Sequence, residues 1–141
     1  GKFKKEILRN KIYHTLSSPT ITHQVVGDFL KNGRYENHLR KIRQILHHNC
    51  NNYINTILES FPKGTKVSQP QGGFFLWIEL DKNVDTAAFY HLAMQHNISI
   101  APGRIFSFQD QFSNCMRLSF GLVWTNELRH SIQMLGRLLH R

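Results

Sequence analysis

The stretch Gln69-Pro70-Gln71-Gly72-Gly73-Phe74-Phe75-Leu76-Trp77-Ile78-Glu79-Leu80 joins a turn signal to an apolar run of strand length. Pro followed by a Gly pair punctuates the chain, and Phe, Trp and Ile favour a pleated, packed surface. With a two-residue period, Phe74, Leu76, Ile78 and Leu80 share one face. Phe75 and Trp77 share the other, and Glu79 is the first charge. A strand apolar on both faces belongs in a sheet covered on both sides, or needs a partner over its second face.

Working outward from this strand, Asp81-Lys82-Asn83 reads as a turn. Asp85 is placed to cap a helix over Thr86–His96, with Ala87, Ala88, Leu92 and Ala93 available for packing and Asn97 ending it. Ile98–Ala101 is a third strand candidate, and Pro102-Gly103 turns the chain. Phe106–Phe112 is irregular and aromatic, and Met116–Phe120 alternates like a strand. Thr125 caps a last helix, Asn126–Leu139, with Ile132, Leu135, Leu138 and Leu139 facing inward. Upstream, Thr65–Ser68 is a short strand candidate and Pro62-Lys63-Gly64 stops a helix.

That helix is the longest periodic pattern, Tyr35 to Phe61. Leu39, Ile42, Leu46, Tyr53 and Ile57 recur at steps of three, four and seven, and Ile45, Ile54 and Leu58 widen the stripe. At about 1.5 Å per residue it is roughly 40 Å long, a length that often links two lobes. Two shorter helices precede it. Phe3–Leu16 carries Phe3, Ile7, Leu8, Ile12 and Leu16 and is broken by Ser17-Ser18-Pro19-Thr20. Thr22–Asn32 carries Val25, Val26, Phe29 and Leu30 on one side, with Gly33 as its C′ residue. The order of elements predicts an α/β sandwich, a small sheet covered by helices.

The 141 residues suffice for one domain with a real core, and the 40% hydrophobic content agrees. No segment approaches the roughly 20 apolar residues of a membrane span; the longest apolar run is Phe74–Ile78. The chain opens Gly1-Lys2-Phe3-Lys4-Lys5, with no initiator Met and no basic-then-apolar leader, as an excised piece would. Cys50 and Cys115 match no metal or redox spacing and read as reduced thiols of a cytoplasmic protein. The formal charge of +9 favours polyanions or marks a surface that meets an acidic partner.

Among residues that carry chemistry, Arg117 stands out. It lies in a strand between Met116 and Leu118, and a guanidinium is rarely buried without a partner. Its planar fork matches a carboxylate bidentately. The alternative is exposure on an edge strand, or pairing with an acid such as Glu79. Pro102-Gly103-Arg104 is either a tight turn or a close approach of backbone to something else. Gly72-Gly73 precedes a strand, so it is no phosphate cradle at a helix start. The nine His show no H-x-x-x-H or H-x-H pattern, and no metal site is expected. No nucleophile elbow, Cys/His pair or carboxylate dyad appears. The lysines lie in polar or turn contexts unsuited to Schiff-base chemistry, so no catalytic residue is expected. The basic run Arg34–Arg43 reads as a solvated or interface face; it lacks a recognition helix and interleaved aromatics.

Three ordered motifs carry a family resemblance. Pro70-x-Gly72-Gly73-Phe74-Phe75-Leu76-Trp77-Ile78, Ile98-x-Ile100-Ala101-Pro102-Gly103-x-x-Phe106-Ser107 and Asn114-x-x-Arg117-Leu118-Ser119-Phe120 together resemble the C-terminal half of a class I/II aminotransferase of fold type I. Upstream, Gly33-Arg34-Tyr35-x-x-His38-Leu39-Arg40-x-x-Arg43 is similar to the MocR-type regulators of the GntR family, which fuse a winged helix to an aminotransferase-like domain. The resemblance implies a small domain with a mostly antiparallel sheet. Residues 1–34 would be a helical remnant of the large domain, and 35–141 the long interdomain helix plus the small domain.

The same resemblance implies that Arg117 holds the carboxylate of an amino-acid-like ligand. Pyridoxal 5′-phosphate would belong to the full-length parent, because the family's cofactor lysine and phosphate site lie upstream, and none is expected bound to this piece. Its partners would be the missing large domain, a second copy in a parental homodimer, and DNA only through an upstream winged helix. A regulator is the first expectation. A metabolic aminotransferase acting on amino acids and 2-oxo acids is the second, and a basic module that itself binds nucleic acid the third.

Overall fold

The computed structural model describes residues 1–15, 19–109 and 111–140. The chain divides into two compact units, 1–42 and 43–141. The first contains α1 (Lys4–Thr15), α2 (Thr20–Lys31) and the start of α3 (Arg34–Ser60). No residue of α1 or α2 is buried, so the periodic apolar positions Ile7, Leu8, Ile12, Val25 and Val26 all stand exposed. Period alone shows that a helix is amphipathic, not that something covers it. Leu16 and the Ser17-Ser18 break lie outside the described residues. Gly33 occupies the left-handed region at φ +66° after α2, as a C′ glycine should.

The second unit holds a four-stranded antiparallel sheet in the order β1-β2-β4-β3. The strands are β1 (Lys66–Val67), β2 (Phe75–Glu79), β3 (Ala101–Pro102) and β4 (Cys115–Ser119). Between β2 and β3 runs α4 (Thr86–Met94), and α5 (Asn126–Leu139) closes the chain. Helix caps fall where the sequence places them. The Asp85 carboxylate accepts from the Ala87 N–H at 2.9 Å, and the Thr125 hydroxyl from the Leu128 N–H at 3.2 Å.

β2 and β4 pair in register over five positions, from Phe75 opposite Ser119 to Glu79 opposite Cys115. This puts Leu76, Ile78, Met116 and Leu118 on one face, where they pack with Tyr53 and Ile57 of α3, Phe89 and Ala93 of α4, and Ile132, Leu135 and Leu138 of α5. Leu76, Ile78 and Met116 are fully buried, each worth about 1.5–3 kcal/mol. The second face of β2 is only partly covered: Phe75 is exposed, while Trp77 meets the rings of Phe106 and Phe112. Phe74 leaves the expected core face and is exposed, because the ladder starts one residue later.

Three expected packing assignments also change. In α3 the buried residues are Asn49, Cys50, Tyr53, Thr56 and Ile57, whereas Ile45 and Leu58 face outward. The core stripe admits polar residues whose hydrogen bonds are met. The Asn49 amide donates to the carbonyls of Phe120 (3.2 Å) and Leu122 (2.7 Å), and Thr56 donates to Asn52 O at 2.8 Å. In α4, Phe89 and not Ala88 enters the core. The third strand is shorter and later than Ile98–Ala101, because only Ala101 and Pro102 join the ladder and a 3₁₀ helix, Gly103–Phe106, follows at once.

Gly136 of α5 abuts the C-terminal end of α3. A Cβ there would lie 2.3 Å from the Ser60 carbonyl oxygen. Backbone on the opposing side cannot swing away like a side-chain tip. Gly136→Ala is therefore expected to lower stability by about 1–3 kcal/mol, read as a reduced urea midpoint; an unchanged midpoint would show that the helices separate freely.

Tyr53 is buried against Trp124, with ring centroids 5.2 Å apart. Burial disfavours the phenolate and raises its pKa from 10.0 to about 12. The folded state keeps the proton, so this contribution is intact below pH 10 and is lost as pH rises from 10 through 12. In urea titrations over that window, Tyr53→Phe should show a shallower loss of stability than the wild type, with the lysine contribution common to both.

Candidate functional site

Arg117 sits in the middle of β4, directly opposite Trp77 of β2 and beside Ala101 of β3. It is an interior strand position, which removes the edge-strand alternative. The side chain is half-buried on the sheet face opposite the core. Its guanidinium carbon lies 4.1 Å from the centre of the Phe75 ring and 4.4 Å from that of Phe106. Glu79, the acid considered as its partner, pairs instead with Lys66 across the β1–β2 ladder at 2.9 Å. Among the described residues no carboxylate lies within ion-pair distance of Arg117.

The aromatic surface continues around Trp77. Phe106 and Phe112 both meet its ring edge-on, at centroid distances of 5.6 and 5.5 Å. The residues expected to be an irregular aromatic segment thus supply one side of the site. Phe112 holds φ +61°, a left-handed backbone that few large residues adopt. Its carbonyl accepts from the Cys115 N–H at 3.0 Å and lies where a Cβ on Gly103 would be, 2.3 Å away. Gly103 is thus a close approach of backbone to backbone, the second of the two readings of the Pro102-Gly103-Arg104 turn. Arg104 pairs with Asp85 at 3.5 Å.

The Asn-x-x-Arg spacing divides labour along β4. The Asn114 side chain donates to Leu80 O at 2.7 Å, and the Leu80 N–H donates to Asn114 O at 2.9 Å. The Thr86 N–H donates to Ser113 O at 2.8 Å, and its hydroxyl lies 2.7 Å from Cys115 O. These bonds anchor the start of the strand that presents Arg117. Sequence reasoning missed Phe75, Phe106 and Thr86 as parts of the site. The only signal available was the aromatic content near a strand arginine.

The remaining candidates lie apart from Arg117. Gly72 and Gly73, the latter at φ +77°, line a groove of about 400 Å³ with Arg43, Leu46, His47, Cys50 and Phe120. Arg34, Arg40, Lys41 and Arg43 are exposed on α3. Among the described residues no three His, Cys, Asp or Glu side chains gather into a metal site, and no helix is long and apolar enough to cross a membrane. Cys50 and Cys115 are buried free thiols. Burial pushes both thiols above the usual range. For Cys115 the Glu79 carboxylate adds to this, while the Trp77 hydrogen bond and the Lys66 charge oppose it. Neither thiol is a poised nucleophile. All nine lysines are exposed.

The small four-stranded antiparallel sheet packed with helices matches the small domain of fold-type-I aminotransferases. The chain belongs to the class I and II aminotransferase family, whose model matches residues 5–135. It is 30% identical over 139 residues to the HTH-type transcriptional regulator YdcR of Escherichia coli, covering 99% of this chain and 30% of that protein. It is 25% identical over 124 residues to the 2-aminoadipate transaminase of Thermus thermophilus, covering 88% and 31%. The solved structure of LysN, also from Thermus thermophilus, an α-aminoadipate aminotransferase complexed with N-(5′-phosphopyridoxyl)-L-leucine, superposes with a TM-score of 0.88. It is 23% identical and covers 99% of this chain and 36% of that one, which establishes the fold. The chain spans about 30% of the length of these curated relatives.

Gly103→Ala should displace the Phe112 carbonyl and loosen the rings around Trp77. In a Trp124→Phe background, the expected outcome is a red-shifted Trp77 emission with a stability loss of about 1–3 kcal/mol. An unshifted spectrum would mean that the loop absorbs the methyl elsewhere.

Proposed function

We propose that this chain is the aminotransferase-like C-terminal part of a transcriptional regulator of the MocR/GntR type. In this reading residues 1–34 belong to the large domain, and 35–141 form the interdomain helix and the small domain. Arg117 takes the carboxylate of an amino-acid-like ligand, and the small domain closes over it. The observation that carries the proposal is a half-buried strand arginine on a partly open aromatic face, with no carboxylate among the described residues to neutralise it. A fixed guanidinium orients a carboxylate through two parallel hydrogen bonds and can draw two lobes together. The similarity to the regulators YdcR, YjiR and NorG supports the regulator over the enzyme.

Pyridoxal phosphate, on this reading, is bound by the rest of the full-length protein, a cytoplasmic homodimer that contacts DNA through an upstream winged helix. The chain itself does no catalysis; it supplies binding and closure. The second reading, a metabolic aminotransferase, is favoured by the similarity to the 2-aminoadipate transaminase. The complete reading frame separates the two: a basic winged-helix segment upstream marks the regulator, and turnover of 2-oxo acids marks the enzyme.

The role of Arg117 is tested in the full-length protein by calorimetric titration with L-2-aminoadipate, L-leucine and L-phenylalanine. Arg117→Ala should weaken whichever of these binds by about 2–5 kcal/mol, the cost of leaving a carboxylate unpaired in a desolvated site. Unchanged affinity would remove Arg117 from the proposal.

A further inference from the structure

We propose that Phe75 and Phe106 are positioning residues that flank the Arg117 guanidinium and leave only its N–H edge for a ligand carboxylate. The inference rests on the carboxylate role proposed for Arg117 and assigns residues to it that the family motif does not. Two contacts carry it. The guanidinium carbon stands over the Phe75 ring at 4.1 Å and over the Phe106 ring at 4.4 Å. At these distances both rings are in cation–π contact with the guanidinium.

The two rings reach Arg117 from different parts of the chain. Phe75 opens β2 and is diagonal to Arg117 across the ladder. Phe106 ends the 3₁₀ helix that follows β3, the strand on the other side of Arg117. Each ring is itself held. Phe74 and Phe75 meet at a centroid distance of 4.4 Å, and Phe106 is edge-on to Trp77 at 5.6 Å. Yet Phe75 is 38% and Phe106 40% exposed, so neither is a core residue whose loss would empty the interior.

The chemistry follows from the geometry. A free arginine side chain samples many rotamers and exchanges N–H groups with water on all sides. Flanking rings remove those rotamers before the ligand arrives, and they shield the flat faces from water. A planar carboxylate in the same plane then makes two parallel bonds to a fork already in place. A lysine at this position would lose the planar fork and its stacking together, so Arg117→Lys would not conserve the site.

The test uses the full-length protein and reads Arg117 directly. Phenylglyoxal modifies accessible guanidinium groups, and peptide mass spectrometry follows the rate at this residue with no ligand present. Phe75→Leu and Phe106→Leu are each expected to raise that rate about two- to fivefold, the size of one stacked cation–π contact. Phe75→Tyr and Phe106→Tyr, which keep the ring face, should stay at the wild-type rate. Wild-type rates in both Leu variants, or raised rates in the Tyr variants, would overturn the proposal. Saturating L-2-aminoadipate is the second arm. It should slow labelling in the wild type and less so in the Leu variants. Absence of protection in the wild type alongside fast labelling in the Leu variants would overturn the carboxylate role while leaving the flanking role in place.

Discussion

Everything that positions the site depends on one alignment, the five-residue antiparallel ladder between β2 and β4. Alternation makes it an all-or-none constraint. A slip of β4 by one residue would carry Met116 and Leu118 to the open face and Arg117 into the core. The energies are lopsided. Two buried apolar side chains of β4, at about 1.5–3 kcal/mol each, oppose that slip. The ring contacts of Arg117 are worth about 0.5–2 kcal/mol. The hydrophobic face therefore sets the register, and the guanidinium inherits its place opposite Trp77.

Polar anchors at both ends keep that ladder from fraying. At the end of β2 nearest Leu80, Asn114 bonds reciprocally to Leu80, and Thr86 at the start of α4 bonds to Ser113 and Cys115. At the opposite end the Phe120 N–H donates to Phe74 O at 2.9 Å, and the buried Asn49 of α3 holds the carbonyls of Phe120 and Leu122. Each of these groups would cost about 1–3 kcal/mol if left buried and unpaired. The long helix is thereby joined to the strand of Arg117 by hydrogen bonds as well as by packing.

The element order and both helix caps could be read directly, because apolar period, Asp85 and Thr125 are local signals. Leu76, Ile78, Ile132 and Leu135 were legible as core for the same reason. What escaped needed knowledge of a distant partner. Asn49 and Thr86 are buried because carbonyls more than 25 residues away in the chain receive their hydrogen bonds. Gly136 is small because Ser60 O faces it. The exposed stripes of α1 and α2 show the converse, since a helical period carries no information about what covers it. Arg117 was legible as a candidate from its apolar flanks. Its partners were not, because Phe75 and Phe106 are 42 and 11 positions away and only the ladder brings them together.

Two glycine-bordered features compete for attention in this unit, and their charges separate them. The groove beside Gly72 and Gly73 is bordered by Arg43 and His47, both exposed on a helix surface and free to be solvated. Water meets the exposed Arg43 guanidinium at little cost, so it gains little from a ligand. Arg117 is half-buried in a strand, shielded by two rings and without a carboxylate among the described residues. The ring contacts offset part of the desolvation of the guanidinium but cannot satisfy all five of its N–H groups. A cation held this way keeps an unspent capacity for a planar anion. The exposed arginines of α3 have no such excess, which is why the carboxylate role is proposed for the strand and not for the groove.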